Sequence, residues 1–433
     1  MNRQMHLCMF IGSSGNHQGA WRRPNSRVEE IMSLSLFSDI AQWAERGKLD
    51  AVLVADLLGL DTPRARTDPM GRLEPFTLLA ALAARTSHLG LIGSVSTSFY
   101  EPFNMARQMA SLDHLSGGRA AWNIVTSATG EANFGAGELP SQTRRYARAA
   151  EFVDVVTQLW DCWADDAIVI DREGGAYADP DKVRRIDHLG EHFQVAGPLN
   201  VPRSPQGRPV FVQAGSSAAG IAFAARHAEV VFTAQQTLED SRAFYDKLRG
   251  QITRRDPDQV TILPGVTPIL GATEAEARGT AKELGELIDL DTGLVRLRKW
   301  LGGVDLGRLD LDERIPPELL PPVESMQGRQ SRYAIFKELA QTHSLRRLVQ
   351  IEVSSSGHWT PVGSCEQVAD QLAERFLAGA CDGFVVIPTH LPEGVQLLVD
   401  GVVPHLRRRG LFRTDYTGPT LRDHLGLPRP ARS

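Results

Sequence analysis

The sequence predicts an α/β protein, a (β/α)8 TIM barrel with insertions after strands four and seven. Three observations carry that expectation. Short β-branched or aromatic runs alternate with helical periods along the 433 residues, and repeated βα units imply parallel strands joined by right-handed crossovers. Eight such runs can be counted, which favours a closed barrel over an open sheet. Small polar residues stand where several runs end, as at the C-terminal mouth of a barrel, where ligands bind.

In chain order, strands are expected at 6–11, 51–55, 89–95, 120–125, 210–213, 230–233, 261–266 and 383–387. Helical periods occupy 35–46, 74–85, 102–115, 145–163, 217–227, 238–253, 274–290 and 365–378. Span 164–208 is rich in Asp, Gly and Pro and reads as an excursion with a short strand around 191–195. Span 291–347 carries Pro316-Pro317 and Pro321-Pro322. Connections this long in a compact enzyme are usually lids or binding elements, so it reads as lid-like. The tail, 412–433, is expected to pack over the surface of what is otherwise one domain, 1–433.

The formal net charge is −5 and no basic stripe is present, which argues against nucleic acid. Arg407-Arg408-Arg409 reads as the cationic end of a helix. Cys8, Cys162, Cys365 and Cys381 show neither C-x-x-C nor zinc spacing, so free thiols in a reducing compartment are expected and no metal. The N-terminus has no apolar signal core, and no apolar run approaches the ~18 residues of a membrane span. A cytoplasmic protein with no membrane contact is the expectation.

Chemistry concentrates at strand ends. Pro209-Val-Phe-Val-Gln-Ala-Gly215-Ser216-Ser217 reads as a buried strand that breaks into an alanine-rich helix. A helix start offers free N–H groups and partial positive charge, and serines add donors, so this is a candidate phosphate cradle. A serine N-cap with no ligand is the plainer reading. Asp56 ends strand two, Ser94 and Ser96 end strand three, and Asn123 and Thr126 end strand four. No carboxylate pair brackets a bond, and no G-x-S-x-G, H-E-x-x-H or dinucleotide fingerprint occurs. An anion anchor with few acid–base groups suits a cofactor that does its own chemistry.

Several motifs carry a resemblance. They include Trp122-Asn-Ile-Val-Thr-Ser127, Asn133-Phe-Gly135, Arg145-Tyr146-Ala147-Arg148-Ala149-Ala150-Glu151-Phe152 and Gly190-Glu191-His192-Phe193. Gly15-Asn-His17 with Trp21-Arg22, Ser111-Leu-Asp113-His114-Leu-Ser116-Gly117-Gly118-Arg119 and Leu421-Arg-Asp-His424-Leu-Gly-Leu427-Pro428 belong to the same set. Together and in order they resemble the bacterial-luciferase-like flavin-dependent monooxygenases. The subgroup is that of the nitrilotriacetate, dibenzothiophene-sulfone and long-chain alkane monooxygenases and pristinamycin synthase.

The resemblance implies a two-component system. A separate NAD(P)H:flavin oxidoreductase would supply reduced FMN (FMNH2). This chain would use O2 to oxygenate a small organic substrate through a flavin C4a-(hydro)peroxide. A homodimer or homotetramer is implied as well. Carried over position by position, Asp56, Ser94, Ser96, Asn123, Thr126, Gln142, Tyr146, Ser216 and Ser217 would contact the flavin, and His17, Trp21, Arg22 and His358 the substrate. The family often has histidine where Gln142 stands, in a His-Asp-x-Arg-Tyr run. Glutamine hydrogen-bonds but does not titrate near neutrality. His17 and Gln142 therefore remain only candidates for a catalytic role. An F420-dependent oxidoreductase on the same barrel and a non-catalytic flavin-binding subunit are the alternatives.

Overall fold

The computed structural model describes residues 3–60, 62–127, 129–135, 137–326 and 330–432. Positions 327–329 and 433, inside the readings made for 291–347 and 412–433, lie outside the described residues. Eight strands form a closed barrel: β1 (His6–Ile11), β2 (Ala51–Val54), β3 (Gly90–Ser96), β4 (Ala120–Val125), β5 (Val210–Ala214), β6 (Val230–Thr233), β7 (Thr261–Val266) and β8 (Gly383–Val386). Their spatial order is β1-β8-β7-β6-β5-β4-β3-β2, and every neighbouring pair is parallel. Each expected strand is present with its ends within one residue.

Alternation along the strands separates two cores. Cys8, Leu53, Ile92, Ala121, Val212, Leu263 and Val385 fill the barrel interior. Leu7, Val52, Leu91, Trp122 and Phe211 face the surrounding helices, the period-two pattern of a strand buried on both faces. Those helices are α1 (Leu34–Arg46), α2 (Pro75–Ala83), α3 (Pro102–Leu115), α4 (Gln142–Trp160), α5 (Ala218–His227), α6 (Leu238–Gln251) and α7 (Glu274–Glu286). Between β7 and β8 follow α8 (Leu290–Trp300), α9 (Gln330–Leu339), α10 (Leu345–Ser355) and α11 (Cys365–Leu377).

Caps explain where helix boundaries depart from the periodicity. The fourth helix starts at Gln142 rather than 145 because the Ser141 side chain caps it, accepting from the Arg144 N–H. The run expected over 274–290 divides, since Asp289 caps a new helix by accepting from the Thr292 N–H at 2.8 Å. The short strand expected around 191–195 is Gln194–Val195, paired with His188–Leu189 in a hairpin.

Two regions are more substantial than expected. Residues between β7 and β8 build a core of their own, including Leu297, Leu301, Ile315, Tyr333, Phe336 and Leu348. The tail does not merely lie over the surface. Leu421, Leu425 and Leu427 join the interior barrel core. Two buried arginines of the tail hold it there: Arg413 pairs with Asp50, and Arg422 with Glu229 at 2.8 Å. Apolar area at the open lower end of the barrel is what the tail covers.

Candidate active site at the barrel mouth

Strands β4, β5 and β6 end around a cavity of about 300 Å³. Thr126, Gln142, Tyr146, Ser216, Ser217 and His358 all line it, so six of the sequence-derived candidates converge on one space. The Ser217 hydroxyl caps α5, accepting from the Gly220 N–H at 3.2 Å. The cap is therefore present, and the same hydroxyl also faces polar neighbours across the gap. Gln142 Nε2 lies 3.5 Å from Ser217 Oγ, and the Tyr146 hydroxyl faces Thr126 and Ser217. Burial raises the Tyr146 phenol above its ordinary value, so it stays a neutral O–H donor.

Glycine keeps this cradle open. A Cβ at Gly220 would stand 3.1 Å from the Tyr146 hydroxyl and 3.2 Å from Ser217 Oγ. One at Gly215 would stand 2.9 Å from Gln213 Nε2. Gln213 is buried in the cavity wall, and its Oε1 has no hydrogen-bond partner among the described residues. The sequence reading missed it, although a glutamine inside an otherwise apolar strand was a signal.

Ser94 and Asn123 are register partners on β3 and β4. They share the inward face of Ile92 and Ala121. Asn123 Nδ2 donates to Ser94 Oγ at 2.8 Å. Its Oδ1 is buried without a partner among the described residues. Ser96 is occupied differently, with its hydroxyl 2.7 Å from that of Ser127. Asp56 is outside the 300 Å³ cavity lining. Its carboxylate accepts from the Leu57 N–H at 2.8 Å, and burial raises its pKa.

The four substrate candidates separate. His358 is buried in the main cavity wall, stacked on Phe232 at 5.4 Å and 3.2 Å from an Arg332 nitrogen. Burial and Arg332 push it well below the ordinary histidine value, so it is neutral. Trp21 and Arg22 line a second cavity of about 180 Å³ with Gln18, Arg66, Thr67, Leu287 and Asp289. His17 is buried, and its Nδ1 accepts from the Gly19 N–H at 3.0 Å. Burial and Arg296 hold it down at about 4.

Trp300, Arg332 and Ile335, from the segment between β7 and β8, complete the main cavity. No periodicity signalled them, because they reach the site only by tertiary docking. A buried ion cluster fixes that docking: Arg296 of α8 lies 2.8 Å from Glu352 of α10 and 3.2 Å from Asp68 of the β2–α2 connection. Trp300 Nε1 donates to Glu352 at 2.9 Å.

A closed parallel barrel with a polar, donor-rich cavity at the C-terminal ends of β4–β6 is the architecture of a TIM-barrel enzyme. Comparison with known proteins makes the class specific. The family model described as luciferase-like monooxygenase matches residues 7–381, and the chain belongs to that family. N-acetyl-S-(2-succino)cysteine monooxygenase of Bacillus subtilis (strain 168) is 44% identical, over 99% of this chain and 98% of the relative. Nitrilotriacetate monooxygenase component A of Aminobacter aminovorans is also 44% identical, over 100% and 98%. The crystal structure of a long-chain alkane monooxygenase superposes with a TM-score of 0.86 at 30% identity, covering 98% of this chain and 96% of that one. The protein is a flavin-dependent monooxygenase. An F420-dependent secondary alcohol dehydrogenase, at 13% identity, shares the fold alone.

Proposed function

We propose that this chain is the oxygenating component of a two-component system, taking FMNH2 from a separate NAD(P)H:flavin oxidoreductase and using O2 to oxygenate a small organic molecule. The observation that carries the reading is the convergence of Thr126, Gln142, Tyr146 and Ser217 on one cavity at the start of α5. That set fits a phosphomonoester dianion: hydroxyl and amide donors, helix N–H groups, and glycines where the phosphate must approach. The word "component" in the Aminobacter relative's name supports a separate partner.

Bound there, reduced flavin would supply the electrons that let O2 transfer one oxygen atom to substrate while the other leaves as water. The residues of this chain bind, orient and shield. Tyr146, Gln142 and Ser217 hold the phosphate. The partnerless Asn123 Oδ1, fixed by Ser94, offers a buried acceptor to a ring N–H in the barrel mouth. Trp300, Ile335 and Phe232 present apolar surface that excludes water. Neither Gln142 nor the neutral His358 carries a charge near neutral pH, so the positive charge offered to a phosphate here comes from Arg145 and Arg332, which line the same cavity.

Titration with FMNH2 under nitrogen, followed by O2 while absorbance is recorded, tests the reading. Saturable binding and an oxygen adduct that outlives free reduced flavin in air are expected. No binding of FMNH2, with binding of reduced F420 instead, would replace it with the hydride-transfer alternative.

A further inference from the structure

We propose that the second cavity is a carboxylate-binding subsite, and that the molecule oxidised by this protein is a small organic anion whose charged end is held there. This deepens the monooxygenase reading and rests on it for the word substrate.

The cavity is built from three segments that meet across the barrel mouth from the phosphate cradle: the loop after β1, the loop after β2, and the α7–α8 junction. Hydrogen bonds pin them together. Trp21 Nε1 donates to the Thr67 carbonyl at 2.8 Å, and the Asp289 N–H to Gln18 Oε1 at 3.2 Å. Thr67 and Thr292 hydroxyls lie 3.2 Å apart. The wall closes only because residue 19 is glycine, since a Cβ there would stand 2.5 Å from the Leu287 Cβ. The space is therefore preformed, and at about 180 Å³ it is smaller than the ~300 Å³ at which whole-ligand sites begin. That size suits one end of a molecule.

Its chemistry is that of an anion site. Two guanidiniums, Arg22 and Arg66, face one carboxylate, Asp289. Asp289 is already engaged: it caps α8 through the Thr292 N–H, and its other oxygen is 3.7 Å from Arg66. Among the described residues the Arg22 guanidinium makes one hydrogen bond, to the Leu287 carbonyl at 3.3 Å. Neighbouring arginines differ. Arg23 bonds Glu393 at 2.9 Å and Glu283 at 3.3 Å, and Arg64 bonds Asp68 at 2.7 Å. So within one patch, two arginines are neutralised by the protein and two are left with fork donors to spare, the arrangement that receives a carboxylate bidentately. Gln18 adds a buried amide whose Nε2 has no partner among the described residues.

The subsite is wired to the flavin side. Thr67 precedes Asp68, which contacts Arg296; Arg296 contacts Glu352, and Glu352 accepts from Trp300 in the main cavity wall. A substrate anchored here would sit against the segment that walls the reaction space.

Calorimetric titration of the full-length, flavin-free protein tests the proposal, with succinate and citrate as probes and neutral succinamide and sulfate as comparators. Saturable carboxylate binding is expected, with no heat from succinamide. Arg22→Ala and Arg66→Ala should each weaken it about 10-fold, the loss of one charge-assisted hydrogen bond, and Arg66→Lys should recover part of it. FMN binding and thermal melting, measured on the same variants, should not move. No carboxylate saturation at millimolar concentration, sulfate binding as tight as succinate, or indifference to both arginine substitutions would overturn the subsite. Carboxylate binding without FMNH2 binding would sink the monooxygenase reading and leave the anion site standing.

Discussion

The two sides of the barrel mouth differ in how they use charge. Around β4–β6 most of the wall is uncharged, with hydroxyls of Thr126, Tyr146, Ser216 and Ser217, the amides of Gln142 and Gln213, and a neutral His358, and its charged groups are the guanidiniums of Arg145 and Arg332. Around the loops after β1 and β2 it is ionic, with Arg22, Arg64, Arg66 and Arg296 set among Asp68, Asp289 and Glu352. This first side can bind a dianion through fixed dipoles together with the two guanidiniums, and it carries no carboxylate in the lining to oppose one. The ionic side must satisfy every buried charge, because an unpaired one costs several kcal/mol. The contrast shows that the candidate cradle takes each donor from a strand end or a capped helix start and brings several such units together, whereas the wall opposite is held by ion pairs between residues far apart in sequence.

The largest expected effect tests the ionic side. Arg296→Met leaves Glu352 and Asp68 without their shared partner, and should cost about 3–5 kcal/mol by analogy with other broken buried pairs. Urea denaturation should show it, while FMN still binds the cradle of the folded fraction. A cost below about 1 kcal/mol would mean the cluster is solvated, as surface pairs are. On the cradle side, Gly220→Val pushes side-chain atoms into the Tyr146 hydroxyl and Ser217, and should weaken FMN binding about 10-fold or more. Tyr146→Phe removes one donor and should cost roughly 3- to 10-fold, read by flavin fluorescence. If both variants bind FMN as the parent does, the phosphate is held elsewhere.

A pH experiment separates the two sides further. His17 is held at about 4 in the fold against an ordinary 6.5. The fold favours its neutral form, so its contribution is fully present above about 6.5 and is lost as pH falls towards 4, where the unfolded chain takes up the proton first. Melting temperature should fall over that window less steeply in His17→Gln than in the parent. Equal slopes would show that burial of this imidazole does not couple to folding. The smallest effect is expected at Gln142→His, which should alter the decay of the oxygen adduct with little change in FMN affinity. An unchanged decay rate would mean this position only orients the flavin.

Legibility follows the same division. β5, the Gly215-Ser216-Ser217 break and α5 lie within about 20 residues, so one run of sequence shows strand, cradle and helix together. Tyr146 and Gln142 were legible only through the motif that carries the family resemblance, since the helix was expected to begin at 145 and its Ser141 cap went unread. Trp300, Ile335 and Arg332 were not, since they reach the cavity from a segment whose local pattern is that of any surface helix. Trp21, Arg22, His17 and His358 were grouped as substrate candidates by the resemblance, and the fold separates them: Trp21 and Arg22 line the second cavity and His358 the main one. Gln213 was passed over because it lay inside an apolar strand, where a polar side chain was a signal in itself.

By itself the sequence determined the barrel, its eight strands to within a residue, and the serine-capped helix start at Ser216-Ser217. These depend on alternation, caps and glycine placement, which act over a few residues. Only the tertiary structure decided that the tail plugs the barrel floor, that a buried Asp68–Arg296–Glu352 cluster docks the segment between β7 and β8, and that Arg22 and Arg66 share one carboxylate, Asp289, around a preformed cavity. Those features are sums of burial and charge over residues hundreds of positions apart. Such sums have a definite value only once the chain has closed on itself.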